Sequence, residues 1–164
     1  MSSKSPRTLT QALTTSTVAV GVLFLIKGFE ILFRISFEQY GIVPRTQDGL
    51  KGILCSPLLR AQQTAAAVLD EIGPITLSTT EHLTSSSDPR HILRELSELN
   101  RETVLLIGHE PHLSTTISVL LAGDERSRVL MNPCSLACLR AVASPKYDKT
   151  ILQWLIHPEQ IQNP

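Results

Sequence analysis

Three polar side chains are spaced so that they can share one face at the start of a helix. Ser56, Arg60 and Thr64 follow one another at intervals of four residues, shortly after the apolar pair Ile53-Leu54. Residues four apart are neighbours on a helix surface. The first N–H groups of a helix, the positive end of its dipole and a forked guanidinium all favour a bound anion, most naturally a phosphoryl group. The sequence therefore predicts an oxyanion site at Ser56 and Arg60.

A second junction of the same design lies around His109. The apolar run Thr103–Ile107 leads into the turn GHEP at 108–111, which is followed by another apolar segment. In an open α/β sheet, ligands bind beyond the carboxyl ends of the strands. If the two strands are neighbours, Arg60 and His109 face one pocket. A turn histidine can also be structural and a first-turn arginine can be a solvated surface residue, so the hypothesis rests on the pair.

Apolar periodicity predicts the elements that position these residues. A strand ends at Ile53-Leu54, and the helix after it has Pro57 at its first position and Gly73-Pro74 at its end. Val18–Ile26 is apolar at odd and at even positions alike, which is typical of a central strand covered on both faces. The buried stripe of the helix is predicted to contain Leu58, Ala61, Ala65, Val68 and Ile72.

The rest of the chain continues the alternation of strands and helices. Strands joined by helices predict an α/β layered domain. The last two strands are separated by a short turn-rich segment, which favours an antiparallel hairpin at one edge of the sheet. The further predicted elements are a helix at Ile31–Tyr40, a loop at Gly41–Gly52, a strand at Ile75–Leu77, a helix capped by Asp88 with Pro89 at its first position, a strand at Thr103–Ile107, a helix at Leu113–Ala122, and strands at Leu136–Val142 and Ile151–Ile156.

Length and composition limit the class of protein. The 164 residues suit one domain, predicted at 17–158 between a flexible tail at 1–16 and a tail at 159–164. Fifteen basic and fifteen acidic residues cancel, so no nucleic-acid partner is expected. Cys55, Cys134 and Cys138 lack CxxC spacing, which predicts neither a disulfide framework nor a metal site. They are typical of core residues in a reducing compartment, so we expect a cytoplasmic protein.

Thr17–Phe37 supports an alternative from another class, a membrane-anchored protein. The segment is apolar with interruptions, but no small-x-small cleavage site follows it, as a signal peptide requires. A membrane span would bury Lys27, Glu30 and Arg34, each at about 2.5–3.5 kcal/mol at the bilayer centre. We therefore expect a buried strand here and no membrane partner.

Three motifs carry a family resemblance. They are SPLLRAQQT at 56–64, LLIGHEPHL at 105–113 and SLACL…LQWLIHP at 135–158, and the matching part runs from about Ile53 to Pro158. With these motifs the sequence resembles the histidine phosphatase superfamily, specifically the small phosphohistidine phosphatases of the SixA type. The first two motifs are fairly specific in this order and at this distance. The resemblance implies a three-layer α/β/α sandwich, the phosphoglycerate mutase-like fold, with a mostly parallel central sheet and a C-terminal antiparallel edge hairpin.

The resemblance also implies a chemistry. In the family, a histidine in an Arg-His-Gly motif on the first strand attacks phosphorus, arginines and a second histidine hold the phosphoryl oxygens, and water releases phosphate without a metal or another cofactor. By resemblance, Arg60 is a phosphate-pocket arginine, His109 is the second pocket histidine, and Ser56 belongs to the phosphate-binding set. The implied partner is a protein phosphorylated on histidine or a small phosphoester.

The first strand departs from the family pattern. LFLIKGFE at 23–30 occupies the place of a strand that ends in Arg-His-Gly-Glu. Lys27 stands where the arginine would be, Gly28 where the nucleophilic histidine would be, and Phe29 where the glycine would be. Lys27 can still supply a point charge to phosphate, but Gly28 cannot attack anything. In a serine protease, loss of the covalent nucleophile removes on the order of a millionfold in turnover.

Two functions therefore stay open beside the membrane-anchored alternative. The first is a phosphatase that removes a phosphoryl group through Arg60 and His109, with another group in place of the missing nucleophile. His112 is the candidate for that role, although its position equally fits the rim of the pocket or plain surface. The second is a catalytically dead pseudophosphatase that binds phosphate or phosphohistidine.

Overall fold

The strands of the computed structural model form one sheet. The structure describes the backbone of residues 16–22. It also describes residues 50–99, 103–127, 129–141 and 150–162. Within these ranges the strands are β1 Ser16–Val22, β2 Gly52–Cys55, β3 Leu77–Thr79, β4 Thr103–Gly108, β5 Leu136–Ala141 and β6 Thr150–Ile156. The helices in the same ranges are α1 Leu59–Ile72, α2 Pro89–Leu99, α3 His112–Ala122 and the short α4 Glu159–Gln162, with a 3₁₀ turn at Glu81–Leu83.

The sheet has the order β3-β2-β4-β1-β5-β6. Strands β3, β2, β4 and β1 run parallel to one another, β5 is antiparallel to β1, and β6 is antiparallel to β5. This confirms the predicted mostly parallel sheet with a C-terminal antiparallel hairpin. At one edge of the sheet, Val22 lies opposite Gly108 and Cys55 lies opposite Ile107. Because β5 runs the other way, its first residue, Leu136, reaches the same edge opposite Gly21.

Two hydrophobic layers cover the two faces of the sheet. Successive strand residues point to opposite faces, so Leu106 of β4 packs with Ile92 and Ile117 of α2 and α3, while Ile107 packs with Ala65 of α1. These side chains are buried, and each large one contributes about 1.5–3 kcal/mol relative to an exposed position. Helices α2 and α3 therefore cover one face and α1 the other, which is the three-layer arrangement that was predicted.

Helix α1 begins later than the sequence indicates. Its first residue is Leu59, and Leu58 is the N-cap residue, so Pro57 lies before the helix. Leu58 is 47% exposed, and the prediction that it belongs to the buried stripe is wrong. Thr64 was expected on the polar face but is buried. The physical reason is that a core-facing stripe is broad, and the positions i, i+3, i+4 and i+7 of this helix fall on Ala61, Thr64, Ala65 and Val68.

The start of α2 was predicted correctly. Asp88 Oδ1 accepts a hydrogen bond of 2.8 Å from the backbone N of Arg90, as an N-cap residue does, and Pro89 is the first helical residue. Other boundaries shift by one or two residues. Strand β3 begins at Leu77, where Ile75 was expected, α3 begins at His112, and β1 begins at Ser16.

Several predicted segments lie wholly or mostly outside the described residues. They are 23–26 of the first strand, the helix at Ile31–Tyr40, and most of the loop at Gly41–Gly52. Within the part of the chain that the structure describes, no helix is long and apolar enough to cross a bilayer.

Candidate active site

Ser56 and His109 meet at the carboxyl edge of the sheet. Strands β2 and β4 are direct neighbours, and the backbone N of Ser56 donates to the Ile107 carbonyl at 2.9 Å. This pairing places the two residues that follow the strands side by side. His109 Nε2 lies 3.2 Å from Ser56 Oγ, in hydrogen-bond contact. The sequence predicts a shared pocket if the two strands are neighbours, and β2 and β4 are neighbours.

Arg60 adds a positive charge to this pair from the first turn of α1. The pKa of His109 is lowered by burial of the ring and, second, by the positive charge of Arg60. Because the ordinary pKa of histidine is about 6.5, the His109 ring is neutral at pH 7. The site thus combines an exposed guanidinium, a half-buried neutral imidazole and a buried hydroxyl.

Backbone and side-chain contacts hold the turn between β2 and α1 in place. Gln62 Nε2 donates to the Ser56 carbonyl at 2.7 Å, and the Leu58 N–H points to Ser56 Oγ at 3.4 Å. Leu58 is an N-cap residue that has no side-chain oxygen to offer the helix. Since the first N–H groups of a helix have no partner within it, this terminus is suited to an anion.

The turn after β4 depends on Gly108. A Cβ at this position would stand 3.1 Å from the Leu83 carbonyl oxygen and 3.3 Å from Leu113 Cδ2. Gly108 therefore lies in close contact with the 3₁₀ turn and with α3. Glu110 completes the turn by accepting hydrogen bonds at the start of α3 from the N–H of Ser114, at 3.0 Å, and from its hydroxyl.

His112 occupies neither the rim nor plain surface. It is 2% exposed, and among the described residues neither ring nitrogen has a hydrogen-bond partner. Burial lowers the pKa of His112, partly opposed by the negative charge of Asp88 and reinforced by His109. A ring closed to solvent is badly placed to attack a phosphoryl group. The structure therefore argues against His112 as a replacement nucleophile.

Lys27 and Gly28, which the sequence aligns with the family's Arg-His-Gly motif, lie outside the described residues. The described part of β1 ends at Val22, opposite Gly108. It lies in the centre of the sheet, between β4 and β5. The phosphate-binding role of Lys27 stays a prediction.

A Ser–His pair that sequence reasoning missed lies at the same edge of the sheet. Ser135 Oγ is 2.7 Å from His157 Nδ1, and Ser135 is fully buried. The predicted hairpin could have indicated this contact. When Leu136 pairs with Ile156, the residue before β5 lies beside the residue after β6. Three strand spacings of about 4.8 Å separate β6 from β4, so His157 and His109 are too far apart to hold one phosphoryl group. We regard the pair as a link that closes the hairpin.

The other candidate ligand groups are inert or scattered. None of the three cysteines is in a disulfide, and burial raises the pKa of Cys55 to about 12, so this thiol stays protonated. Within the described ranges, no group of three or more His, Cys, Asp or Glu side chains is arranged to hold a metal ion.

Solved structures of the same fold are histidine phosphatases. A structure of the protein histidine phosphatase SixA complexed with tungstate matches with a TM-score of 0.72 and 18% identity, over 88% of this chain and 99% of that chain. A phosphohistidine phosphatase SixA from Nakamurella multipartitia matches with a TM-score of 0.66 and 19% identity, over 88% and 96%. Phosphoglycerate mutase from Plasmodium falciparum gives 0.59 and 14%, over 85% and 89%.

These comparisons define the class of the fold. The chain has the phosphoglycerate mutase-like fold of the histidine phosphatases, and chains of the SixA type share it over nearly their whole length. No protein-family model matches the sequence, and no curated protein does.

Proposed function

We propose that the site formed by Ser56, Arg60 and His109 binds a phosphoryl group carried by a protein histidine or by a small phosphoester. One observation carries the proposal: His109 Nε2 contacts Ser56 Oγ at 3.2 Å, and the charge of Arg60 acts on the same imidazole. A solved SixA phosphatase of the same fold was complexed with tungstate, which is also a tetrahedral oxyanion.

The chemistry of each group fits this ligand. A guanidinium engages two phosphoryl oxygens at once. His109 Nε2 contacts Ser56, so a bound ligand would use the other ring nitrogen, and the N-terminus of α1 adds N–H donors and a partial positive charge. Catalysis of phosphoryl transfer is mostly positioning and charge stabilisation. These residues supply both for an oxyanion, without a metal.

Whether the bound group is also hydrolysed depends on a nucleophile. Gly28 stands at the aligned position of the catalytic histidine and has no side chain to attack with. Two nearby groups of the described chain, Ser56 and His112, are 0% and 2% exposed, so neither is open to an incoming phosphorus. These observations favour the second candidate function, a pseudophosphatase that binds phosphate or phosphohistidine.

Binding of inorganic phosphate or vanadate tests the pocket. We expect Arg60→Ala to weaken binding about tenfold to a hundredfold, because a bidentate charge-assisted hydrogen bond contributes roughly 1.5–3 kcal/mol. Arg60→Lys keeps the charge but loses the fork, so it should recover only part of the affinity. Arg94→Ala, which removes an exposed arginine of α2, is the matched control. Equal binding by the Arg60→Ala and Arg94→Ala variants would refute the pocket.

Turnover distinguishes the two candidate functions. We expect very low or no release of phosphate from a phosphohistidine protein and from an aryl phosphate, while phosphate or vanadate still binds. Replacing Lys27-Gly28-Phe29 with Arg-His-Gly should install or raise turnover if the first strand is aligned correctly. Brisk turnover by the unaltered chain, lost in an Arg60→Ala and His109→Ala double variant, would contradict the pseudophosphatase.

Two further proposals concern the compartment of the protein and the bounds of its domain. Three thiols outside any disulfide fit a reducing compartment, and we propose a cytoplasmic protein on that ground. We also propose that 17–158 form one domain that contains the whole pocket. Recovery of the chain in the membrane fraction would contradict the proposed location.

A further inference from the structure

A cavity of about 370 Å³ is lined in part by Pro111 and His112, which come two and three residues after His109 in the chain. The lining also contains the hydroxyl-rich segment Ser85–Ser87 with Asp88 and Pro89, and Thr115 and Glu125. Ligand sites in proteins span about 300–1,000 Å³. The cavity is therefore large enough for an organic group that is attached to a phosphoryl group.

His112 gives this cavity an unused hydrogen-bonding capacity. It lines the cavity, is 2% exposed, and makes no hydrogen bond through either ring nitrogen to the residues that the structure describes. Buried polar side chains are nearly always paired, because an unpaired one costs about 1–3 kcal/mol. A neutral imidazole has one donor and one acceptor nitrogen. Both ring nitrogens are closed to solvent, so a ligand in the cavity engages one of them only when the ring turns toward it.

The charged lining of the cavity is acidic. Asp88 and Glu125 contribute carboxylates, and both share the single guanidinium of Arg90, at 3.4 Å and 3.3 Å. The three charges sum to one negative charge at neutral pH. Both carboxylates are about half exposed, so water and a ligand can still reach them. The lining therefore suits a cation and disfavours a second anion.

We propose that this cavity is a subsite for an ammonium or guanidinium group carried by the molecule whose phosphoryl group binds at Arg60 and His109. The inference rests on the proposed function, since it assumes that the phosphoryl group occupies the neighbouring site. Asp88 and Glu125 attract the cation, and His112 and the cavity hydroxyls accept its N–H groups. The cation can come from a basic side chain next to a phosphorylated residue or from an amino group on a small phosphoester.

The experiment compares ligands that differ only in this charge. Aminoalkyl phosphates of increasing chain length are titrated by calorimetry against alkyl phosphates that carry a methyl group in place of the ammonium. A second arm uses two phosphohistidine peptides that are identical except for lysine or norleucine beside the phosphorylated residue. We expect the cationic ligand to bind about tenfold more tightly in at least one arm, as one charge-assisted contact implies. The arm that shows the preference identifies the source of the cation.

Variants connect that preference to the cavity. In a double variant, Asp88→Asn and Glu125→Gln, the preference should fall to about twofold or less, and Asn keeps the capping function of Asp88. Glu98→Gln, which removes an exposed carboxylate of α2 outside the cavity lining, should leave it unchanged. His112→Leu should also reduce the preference while thermal stability is kept or raised, because an apolar side chain relieves an unpaired buried ring.

The outcomes separate the two proposals. If inorganic phosphate binds but no cationic ligand is preferred in either arm, the subsite is refuted and the phosphoryl site stands. A preference that survives the double carboxylate variant refutes the subsite as well. If inorganic phosphate does not bind, the proposed function fails and the subsite fails with it.

Discussion

At the scale of single residues, the contact between Ser56 and His109 decides what the site can do. A hydroxyl in contact with Nε2 at 3.2 Å orients the ring, and burial together with Arg60 keeps the ring uncharged at neutral pH. An uncharged imidazole can donate or accept a hydrogen bond with its second nitrogen. Of the three groups in the proposed site, the guanidinium of Arg60 is the one with a fixed positive charge.

The electrostatic effect of Arg60 on His109 can be measured directly. Arg60→Ala removes a positive charge that disfavours the protonated imidazole, so the pKa of His109 should rise toward its usual value of about 6.5. An NMR titration of the imidazole resonances measures the shift, with Arg94→Ala as the control. An unchanged His109 titration in the Arg60→Ala variant would mean that the two groups do not share a pocket.

Burial of His112 predicts a dependence of stability on pH. Its pKa is lowered in the folded chain, so the unfolded chain binds more protons once the pH falls below about 6.5, the unfolded value. The free energy of unfolding should therefore decrease as the pH is lowered through this range, until the folded pKa is reached. Denaturant titrations at successive pH values should show a smaller decrease for His112→Leu. Parallel profiles for the two proteins would contradict this assignment.

At the scale of secondary-structure elements, the turns are more constrained than the helices that follow them. Gly108 lies against a backbone carbonyl, whereas Gly73 ends α1 with a φ of 85° and has nothing within 4 Å of its Cβ position. The two glycines are therefore required for different reasons, close approach in one case and backbone conformation in the other. Both lie where the sequence predicts the end of an element.

Alanine at these glycines should separate the two reasons. Gly108→Ala inserts a methyl group against Leu83 and Leu113 and should cost about 1–3 kcal/mol of unfolding free energy. It should also weaken phosphate binding, because the adjacent His109 shifts. Gly73→Ala should cost about 1–3 kcal/mol through backbone strain alone, because a φ of 85° with a ψ of −178° is essentially restricted to glycine, and phosphate binding should be retained. Chemical denaturation and phosphate titration of both variants are the measurements.

The sequence predicted elements where the periodicity was unambiguous. The stripe of α2 and the continuous apolar run of β4 are both present, because amphipathic and fully buried patterns have few alternatives. The prediction that Thr64 lies on the polar face of α1 was wrong. A threonine can turn its methyl group to the core, and periodicity does not reveal how broad a buried stripe is. The adjacency of Ser56 and His109 required the sheet order, which motifs indicated only through resemblance. The Ser135–His157 contact depends on hairpin register and was missed.

At the scale of the whole molecule, β1 joins the two parts of the sheet. It pairs with β4 on one side and with β5 on the other, so within the described sheet it is the strand whose backbone links the parallel strands to the C-terminal hairpin. The contact between Ser56 and His109 and the cavity lie on the β4 side, and the Ser135–His157 contact lies on the β5 side. Integrity of the central strand is therefore a condition for both.

Interrupting the ladder of β1 should unfold the domain. Val20 pairs with Leu106 and with Ala137, so Val20→Pro introduces a residue without an N–H into a strand that has neighbours on both sides. We expect loss of cooperative unfolding in circular dichroism, whereas Val20→Ala should retain it at reduced stability. A folded Val20→Pro variant that binds phosphate would show that β1 is dispensable for the site.

The position of β1 also has a consequence during biosynthesis. The ribosome completes Ser16–Val22 long before it makes either partner, since Thr17 pairs with Thr103 and Ser16 with Ala141. At elongation rates of about 5–20 residues per second, several seconds pass before the strands that pair with this apolar segment have been synthesised. Nascent chains are accordingly exposed to self-association over that interval, and a holdase chaperone that covers the emerging N-terminal segment would raise the yield of native protein.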